Sequence, residues 1–135
     1  MKRFVDTGFF IALLDRGDIH FDKARECLQS QIDDKAKLIT SNMVLSETIT
    51  WLRYHAGYRY AKEFGDKFRH SELVETLWVD SYIESEAWKI FLKYSDHELS
   101  YVDCLSFACM RTHQINKVLT FDKHFRQVGF VVFPH

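Results

Sequence analysis

The chain has 135 residues, of which 47% are hydrophobic, 16% aromatic and 27% charged, and it contains a single proline. This composition excludes a disordered chain and suits one compact domain over residues 1–135. The formal net charge is −1, so the overall charge gives no support to nucleic-acid binding. Only a local basic patch could provide it.

Two features bear on the cellular compartment. No segment approaches the roughly 20 apolar residues of a membrane span, and the N-terminus lacks the apolar stretch of a secretory signal. The cysteines Cys27, Cys104 and Cys109 are odd in number and lack a metal-binding spacing. We therefore expect a soluble cytoplasmic protein with reduced, buried thiols and no membrane association.

Short apolar runs alternate along the chain with longer segments of helical periodicity. In chain order, the predicted elements are a strand at Arg3–Val5, helices at Phe9–Leu14 and His20–Ile32, a strand at Lys37–Thr40, helices at Met43–His55 and Tyr58–His70, a strand at Thr76–Val79, helices at Ser81–Tyr94 and Tyr101–His113, a strand at Lys117–Phe121, a short helix at Lys123–Val128 and a strand at Phe130–Phe133. Ser41 and Asn42 can cap the helix at Met43–His55, and Ser81-Tyr82-Ile83-Glu84 matches a capping box. Such alternation predicts an α/β fold, a three-layer α/β/α sandwich around a parallel sheet of four to five strands that are buried on both faces.

Four acidic residues are predicted to meet at one edge of this sheet. Asp6 and Asp122 directly follow predicted strands, while Glu47 and Asp103 lie in the first turns of helices, which start at the edge where parallel strands end. Four carboxylates that close would repel one another, and a divalent cation removes the conflict. Oxygen ligands favour Mg²⁺ or Mn²⁺, and no Cys/His cluster with zinc spacing is present.

Each acid also has a structural explanation when taken alone. Asp6 could cap the first helix, Asp122 could form an Asx-turn, and Ser100-x-x-Asp103 could be a capping box. Glu47 could turn outward to water. Capping or solvation can explain any one of these acids. It is a weaker explanation for all four of them at the same edge of the sheet.

Four segments in the same order resemble the PIN-domain ribonucleases, and most closely the VapC-type toxins of toxin–antitoxin pairs. They are Phe4-Val5-Asp6-Thr7, Ser41 to Glu47, Leu99 to Phe107 and Leu119 to Phe125. The similarity covers essentially the whole chain. It implies an Mg²⁺- or Mn²⁺-dependent endoribonuclease with an RNA substrate, which usually forms a homodimer and is covered by a small antitoxin.

By matching position, the resemblance makes Asp6, Glu47, Asp103 and Asp122 the catalytic acids, with Asp6, Asp103 and Asp122 as metal ligands. Thr7, Ser100 and Thr120 match small polar positions that support them. We expect Glu47 to orient or deprotonate the attacking water. Possible RNA contacts lie beside the last acid; they are Lys123, His124 and Arg126.

Other surface groups carry weaker signals. The cations of the middle helices are more typical of a solvated face than of an RNA site; they are Arg53, Arg59, Lys62, Lys67 and Arg69. Tyr54, Tyr58 and Tyr60 could stack bases, although packing or dimer contacts explain them more simply.

Competing functions are distinguished by single positions. A phosphatase of the haloacid dehalogenase type needs a second Asp where this chain has Gly8, and a response-regulator receiver needs an acidic pair where it has Thr7. Two alternatives stay open: a PIN nuclease of RNA processing without a toxin role, and a noncatalytic module that binds RNA or protein. The second normally lacks one or more of the acids, and all are present here.

Overall fold

The computed structural model describes residues 1–135 as five strands and seven helices. In chain order these are β1 (Lys2–Val5), α1 (Thr7–Leu14), α2 (Phe21–Asp33), β2 (Lys37–Ser41), α3 (Asn42–His55), α4 (Tyr58–His70), β3 (Val74–Leu77), α5 (Ser81–Lys93), α6 (Tyr101–Thr112), β4 (Lys117–Leu119), α7 (Lys123–Gln127) and β5 (Val131–Phe133). All strands pair in parallel in one sheet, in the order β3-β2-β1-β4-β5. The predicted α/β class and the parallel central sheet are confirmed.

The strand order places a topological switch point at β1. The chain moves outward from β1 to β2 and β3, then crosses back to β4 on the other side of β1 and continues to β5. Right-handed crossovers put α1 to α4 on one face of the sheet and α5 to α7 on the other. The loops that leave β1 and β4 therefore diverge, and they open a crevice at the carboxyl ends of these two strands.

Two predicted strands end or begin elsewhere. The fourth was predicted to run to Phe121, but β4 ends at Leu119 because the Thr120 side chain turns the chain out of the sheet. Phe121 then stacks on the rings of Phe9 and His20, at centroid distances of 5.6 and 4.2 Å. Asp122 is thus three residues beyond the strand rather than directly after it.

The third strand lies two residues earlier than predicted. Pairing with β2 fixes its register from Val74 to Leu77, and the Trp78 side chain that follows is 73% exposed. β3 is an edge strand that is only half-buried, with Glu75 exposed. The expectation that all strands are buried on both faces is wrong for the two edge strands, since Glu75 of β3 and Val131 of β5 are exposed.

Helix caps explain several boundaries. Ser41 caps α3 by accepting from the Val44 N–H at 3.1 Å, as predicted. Asn42, the other predicted cap of α3, instead accepts from the Val79 N–H at 2.9 Å and ties β3 to α3. The predicted capping box at Ser81 is wrong, because Asp80 caps α5 through the Ile83 N–H.

The hydrophobic core joins the sheet to both helical layers in one cluster of 26 buried residues. Phe4, Phe9, Phe107 and Phe125 are fully buried within it. All three cysteines are buried and unbridged, as expected. No helix is both long enough and apolar enough to cross a bilayer.

Candidate active site

Asp6 occupies the crevice between β1 and β4. It follows Val5 at the end of β1, and its backbone N–H donates to the Leu119 carbonyl at 3.1 Å, which keeps it in register with β4. The residue is only 5% exposed. Its carboxylate makes no capping hydrogen bond to α1, so helix capping does not account for it.

Thr120 links the first and last acids. Its hydroxyl donates to Asp6 Oδ2 at 2.8 Å and accepts from the Asp122 backbone N–H at 3.0 Å. One buried hydroxyl thus orients the Asp6 carboxylate and fixes the turn that carries Asp122. The supporting role of Thr120 in function stays a prediction, and these two contacts are its structural basis.

Asp122 and Asp103 are each held through one carboxylate oxygen. Asp122 Oδ1 accepts from the His124 N–H at 2.9 Å and caps α7, as the Asx-turn explanation expected. Asp103 Oδ2 accepts from the Ser100 N–H at 3.2 Å, while the Asp103 N–H donates to Ser100 Oγ, which completes a capping box. The second oxygen of each carboxylate accepts no hydrogen bond, so capping leaves both acids able to bind a ligand.

Glu47 approaches the same crevice from α3. It is half-buried in the second turn of the helix, between the buried Val44 and the half-buried Trp51. Its charge makes the smallest of the contributions that raise the pKa of Asp103. Glu47 is thus not fully turned out to water, and its role at the site stays a prediction.

His124 joins the acids more closely than the sequence indicated. Ligand atoms of Asp103, Asp122 and His124 all lie within 4.8 Å of one another. His124 Nδ1 is 2.8 Å from Asp122 Oδ1, but it is buried and the angle between them is too poor for a hydrogen bond. The sequence predicted His124 as an RNA contact. The Asp-x-His spacing at the start of α7 is the signal that could have placed it in this cluster.

The electrostatics of the crevice are those of crowded carboxylates. Burial, with smaller contributions from the charges of Asp103 and Asp122, raises the pKa of Asp6 to about 7, although hydrogen bonds from Thr120 and the Thr7 backbone act to lower it. Burial also raises the pKa of Asp103, assisted by Asp122 and Glu47. Asp103 and Asp122 therefore act on Asp6, and Asp122 and Glu47 act on Asp103, so that full ionisation of these acids is unfavourable without a compensating cation.

The donor set fits a hard divalent cation. Oxygen atoms of carboxylates predominate, free oxygens remain on Asp103 and Asp122, and one imidazole nitrogen lies among them. Such ligands are typical of Mg²⁺ and Mn²⁺. A cation there offsets the repulsion that raises the pKa of Asp6.

Two other predicted groups have less defined positions. Lys123 and Arg126 are exposed on α7, next to Asp122, and neither forms an ion pair. Thr7 is buried, but its hydroxyl has no hydrogen-bond partner, so a supporting contact to the acids is not present.

A cleft away from the acids lies between α3, α4 and β3. It measures about 590 Å³, with Asn42, Ser46, Thr50 and Trp78 in its wall. We assign the site to the acids instead, since the crevice at the switch point carries the perturbed carboxylates and this cleft carries none.

Comparison with known proteins identifies the family of the chain. The model of the PIN domain family matches residues 3–131. The 23S rRNA-specific endonuclease VapC20 of Mycobacterium tuberculosis is 36% identical over 128 residues, which cover 95% of each protein. A VapC ribonuclease of Archaeoglobus fulgidus is 24% identical over 93% of this chain and 80% of the relative.

Solved structures give the same result. The crystal structure of M. tuberculosis VapC20, described as a sarcin-ricin loop cleaving toxin, superposes with a TM-score of 0.87 at 34% identity over 97% of both chains. VapBC2 from Rickettsia felis shares the fold, with a TM-score of 0.73 at 12% identity over 98% of this chain and 97% of that one. The resemblance inferred from the four segments is confirmed: this chain belongs to the PIN-domain family and is a nuclease of the VapC type.

Proposed function

We propose that this protein is a Mg²⁺-dependent endoribonuclease, with Mn²⁺ as a substitute, whose active centre is the acid cluster at the switch point. The observation that carries the proposal is the gathering of acids at one crevice, where Asp6 is only 5% exposed and ligand atoms of Asp103, Asp122 and His124 lie within 4.8 Å of one another. An ionised carboxylate that is buried without a counter-charge lowers the stability of the folded protein, and a bound cation would supply that charge.

We assign each acid a separate role in binding the metal ion. Asp6 and Asp103 would hold the principal ion directly, and Asp122 would bind it through water or help to hold a second one. Thr120 keeps the Asp6 carboxylate in place through a 2.8 Å hydrogen bond, and Ser100 does so for Asp103. A bound divalent cation would supply a Lewis acid that lowers the pKa of water and offsets charge on the scissile phosphate.

Glu47 is the base in this scheme. It lies beside the cluster on a different element from the ligands, and α3 fixes its backbone. We propose that it orients the attacking water and accepts its proton. In-line attack on the phosphorus then breaks the bond to the 3′ oxygen and leaves a 5′-phosphate and a 3′-hydroxyl.

For the substrate we propose 23S rRNA, at its sarcin-ricin loop. The support is the VapC20 relative, whose name and title state this target and whose sequence aligns over 95% of this chain. A loop of unpaired bases is also the form in which proteins read RNA sequence, because its base edges and faces are accessible.

The substrate proposal is tested with purified, antitoxin-free protein. We expect it to cut 23S rRNA in intact ribosomes at one position in Mg²⁺ or Mn²⁺ and to leave tRNA whole, with ends mapped by sequencing. EDTA should stop the reaction. Preferential cleavage of tRNA would contradict the proposed target, and cleavage that survives EDTA would contradict the cation.

We also propose a toxin role with a cognate antitoxin and a homodimeric state in the cytoplasm. The support comes from structures that share the fold, which include VapBC2 of R. felis and a toxin–antitoxin complex of Klebsiella pneumoniae. A neighbouring gene for a small protein that suppresses cleavage when co-purified supports the toxin role. Its absence favours a nuclease of RNA processing, and sedimentation analysis decides the oligomeric state.

A further inference from the structure

The end of α3 and the start of α4 expose a cluster of aromatic side chains. Tyr54, Tyr58 and Tyr60 are 82%, 62% and 59% exposed. Packing within the fold therefore does not account for them, which the sequence alone could not decide. Tyrosines this exposed give up apolar contact with the core, and they remain available to a ligand.

This aromatic surface begins at the active centre. Glu47, Trp51 and Tyr54 lie at i, i+4 and i+7 of α3 and share one face of the helix. With a rise of about 1.5 Å per residue, Trp51 stands about 6 Å and Tyr54 about 10 Å along the axis from Glu47. Trp51 stacks on His55 at a centroid distance of 4.3 Å and an interplanar angle of 10°, which continues the flat surfaces to the end of α3.

The same region is basic although the whole chain is not. Residues 51–70 contain five Lys or Arg and two acids, against a net charge of −1 for all 135 residues. Arg59 and Lys62 pair with Glu63 and Asp66 along α4. The remaining cations make no ion pair and are exposed; they are Arg53, Lys67 and Arg69.

Arg53 connects the charge to the aromatic rings. Its guanidinium lies 5.0 Å above the Tyr58 ring centroid, so a planar cation and an aromatic ring are already stacked at the surface. Such an arrangement presents a flat face to a base and a positive charge to a phosphate. Exposed rings with unpaired cations are the combination that binds single-stranded nucleic acid.

We propose that Trp51, Arg53, Tyr54, His55 and Tyr58 form a subsite for the substrate RNA, in which unpaired bases next to the scissile phosphate stack on the rings. The proposal rests on the proposed ribonuclease function and names how its substrate is held. Charge complementarity favours RNA over a protein partner at this surface, and its shared helix face with Glu47 places the subsite beside the reaction.

The test compares affinities for a fluorescently labelled RNA hairpin with an unpaired loop and for the same sequence closed into a duplex. Anisotropy is measured with the full chain, with Ca²⁺ in place of Mg²⁺ to slow cleavage. We expect Tyr54→Ala and Tyr58→Ala each to weaken loop binding by roughly 5- to 100-fold and to leave duplex binding within about twofold. Tyr54→Phe should bind within about twofold of the wild type, because stacking needs the ring and not the hydroxyl.

Tyr82→Ala is the matched control, since Tyr82 is a tyrosine of similar exposure, 59%, in the cleft between α5 and α6. In Mg²⁺, the Tyr54→Ala substitution should raise KM and leave kcat unchanged. This is the result expected when the lost contact stabilises the bound substrate and the transition state equally. Because Tyr54 is almost fully exposed, its removal should not prevent folding.

The outcomes separate this inference from the proposed function. Variants that bind and cleave loop RNA like the wild type would overturn the subsite while the nuclease stands. The subsite would also be overturned if Tyr54→Phe weakens the binding of loop RNA as much as Tyr54→Ala does, or if Tyr54→Ala changes only self-association in sedimentation. Wild-type protein that binds the loop in a Tyr54-dependent way but never cleaves it would support the subsite and overturn the nuclease proposal.

Discussion

Asp103→Asn should abolish RNA cleavage, with a loss of roughly 1000-fold or more in kcat/KM, while the protein stays folded. Removal of one charge-stabilising group from a phosphoryl-transfer site costs this much in typical cases. The fold should survive because the Asn side-chain oxygen can still accept from the Ser100 N–H, as Asp103 Oδ2 does at 3.2 Å. Initial rates on 23S rRNA in Mg²⁺, beside a circular dichroism spectrum, measure both effects.

Asp33→Asn is the matched control for this substitution. Asp33 ends α2, so it lies at the opposite edge of the sheet, where its carboxylate accepts only from exposed Gln29. The control should cleave at the wild-type rate. An Asp103→Asn protein that is folded and retains more than about a tenth of the activity would contradict the role of Asp103 as a ligand.

Asp6→Asn should stabilise the metal-free protein at pH 8 by about 4 kcal/mol, because each unit by which the Asp6 pKa is raised costs the folded state about 1.36 kcal/mol, although the substitution destroys activity. Asp6 has its pKa raised from 3.8 to about 7 in the folded state. Between these values the unfolded chain loses its proton and the folded chain keeps it, so stability falls as pH rises toward 7 and stays low above it. The Asn variant lacks this penalty.

The effect should therefore depend on pH. Thermal unfolding in EDTA should show a midpoint roughly 10–20 °C higher for Asp6→Asn than for the wild type at pH 8. The difference should shrink at pH 5 and disappear near pH 4, while Asp33→Asn stays close to the wild type throughout. Equal or lower stability of Asp6→Asn at pH 8 would contradict the electrostatic strain assigned to Asp6.

The sequence predicted which acids lie at the carboxyl edge of the sheet, but it did not predict where every strand ends. Asp6 and Asp122 could be assigned to that edge because each comes after an apolar run that predicts a parallel strand. The end of β4 could not be predicted, since Phe121 continues the apolar pattern. It leaves the sheet only because the Thr120 hydroxyl is used by Asp6 and by the Asp122 N–H, a contact across 114 residues.

Local capping signals predicted some helix starts and failed at others. Ser100 and Asp103 form the expected capping box. Asp80 displaced Ser81 as the cap of α5 because the helix starts one residue earlier than the Ser81 pattern requires. Propensity does not choose between two adjacent capping residues, and only the path of the chain from β3 decides it.

The periodicity of the sequence did not predict which polar and aromatic side chains are buried and which are exposed. Tyr54 and Trp51 are three residues apart on α3, yet one is 82% exposed and the other is half-buried. His124 likewise could be placed near Asp122 from its spacing, but its approach to Asp103 depends on how α6 meets α7 in the folded chain. Such contacts come from tertiary packing, which a single sequence does not encode in any local period.

The central claim is that these acids bind a divalent cation, and calorimetric titration of Mn²⁺ into the metal-free protein at pH 7.5 tests it most directly. We predict saturable binding to the wild type and to Asp33→Asn, with no measurable binding to Asp6→Asn or Asp103→Asn under the same conditions. Binding of Mn²⁺ to both of these variants with the wild-type affinity would contradict the claim.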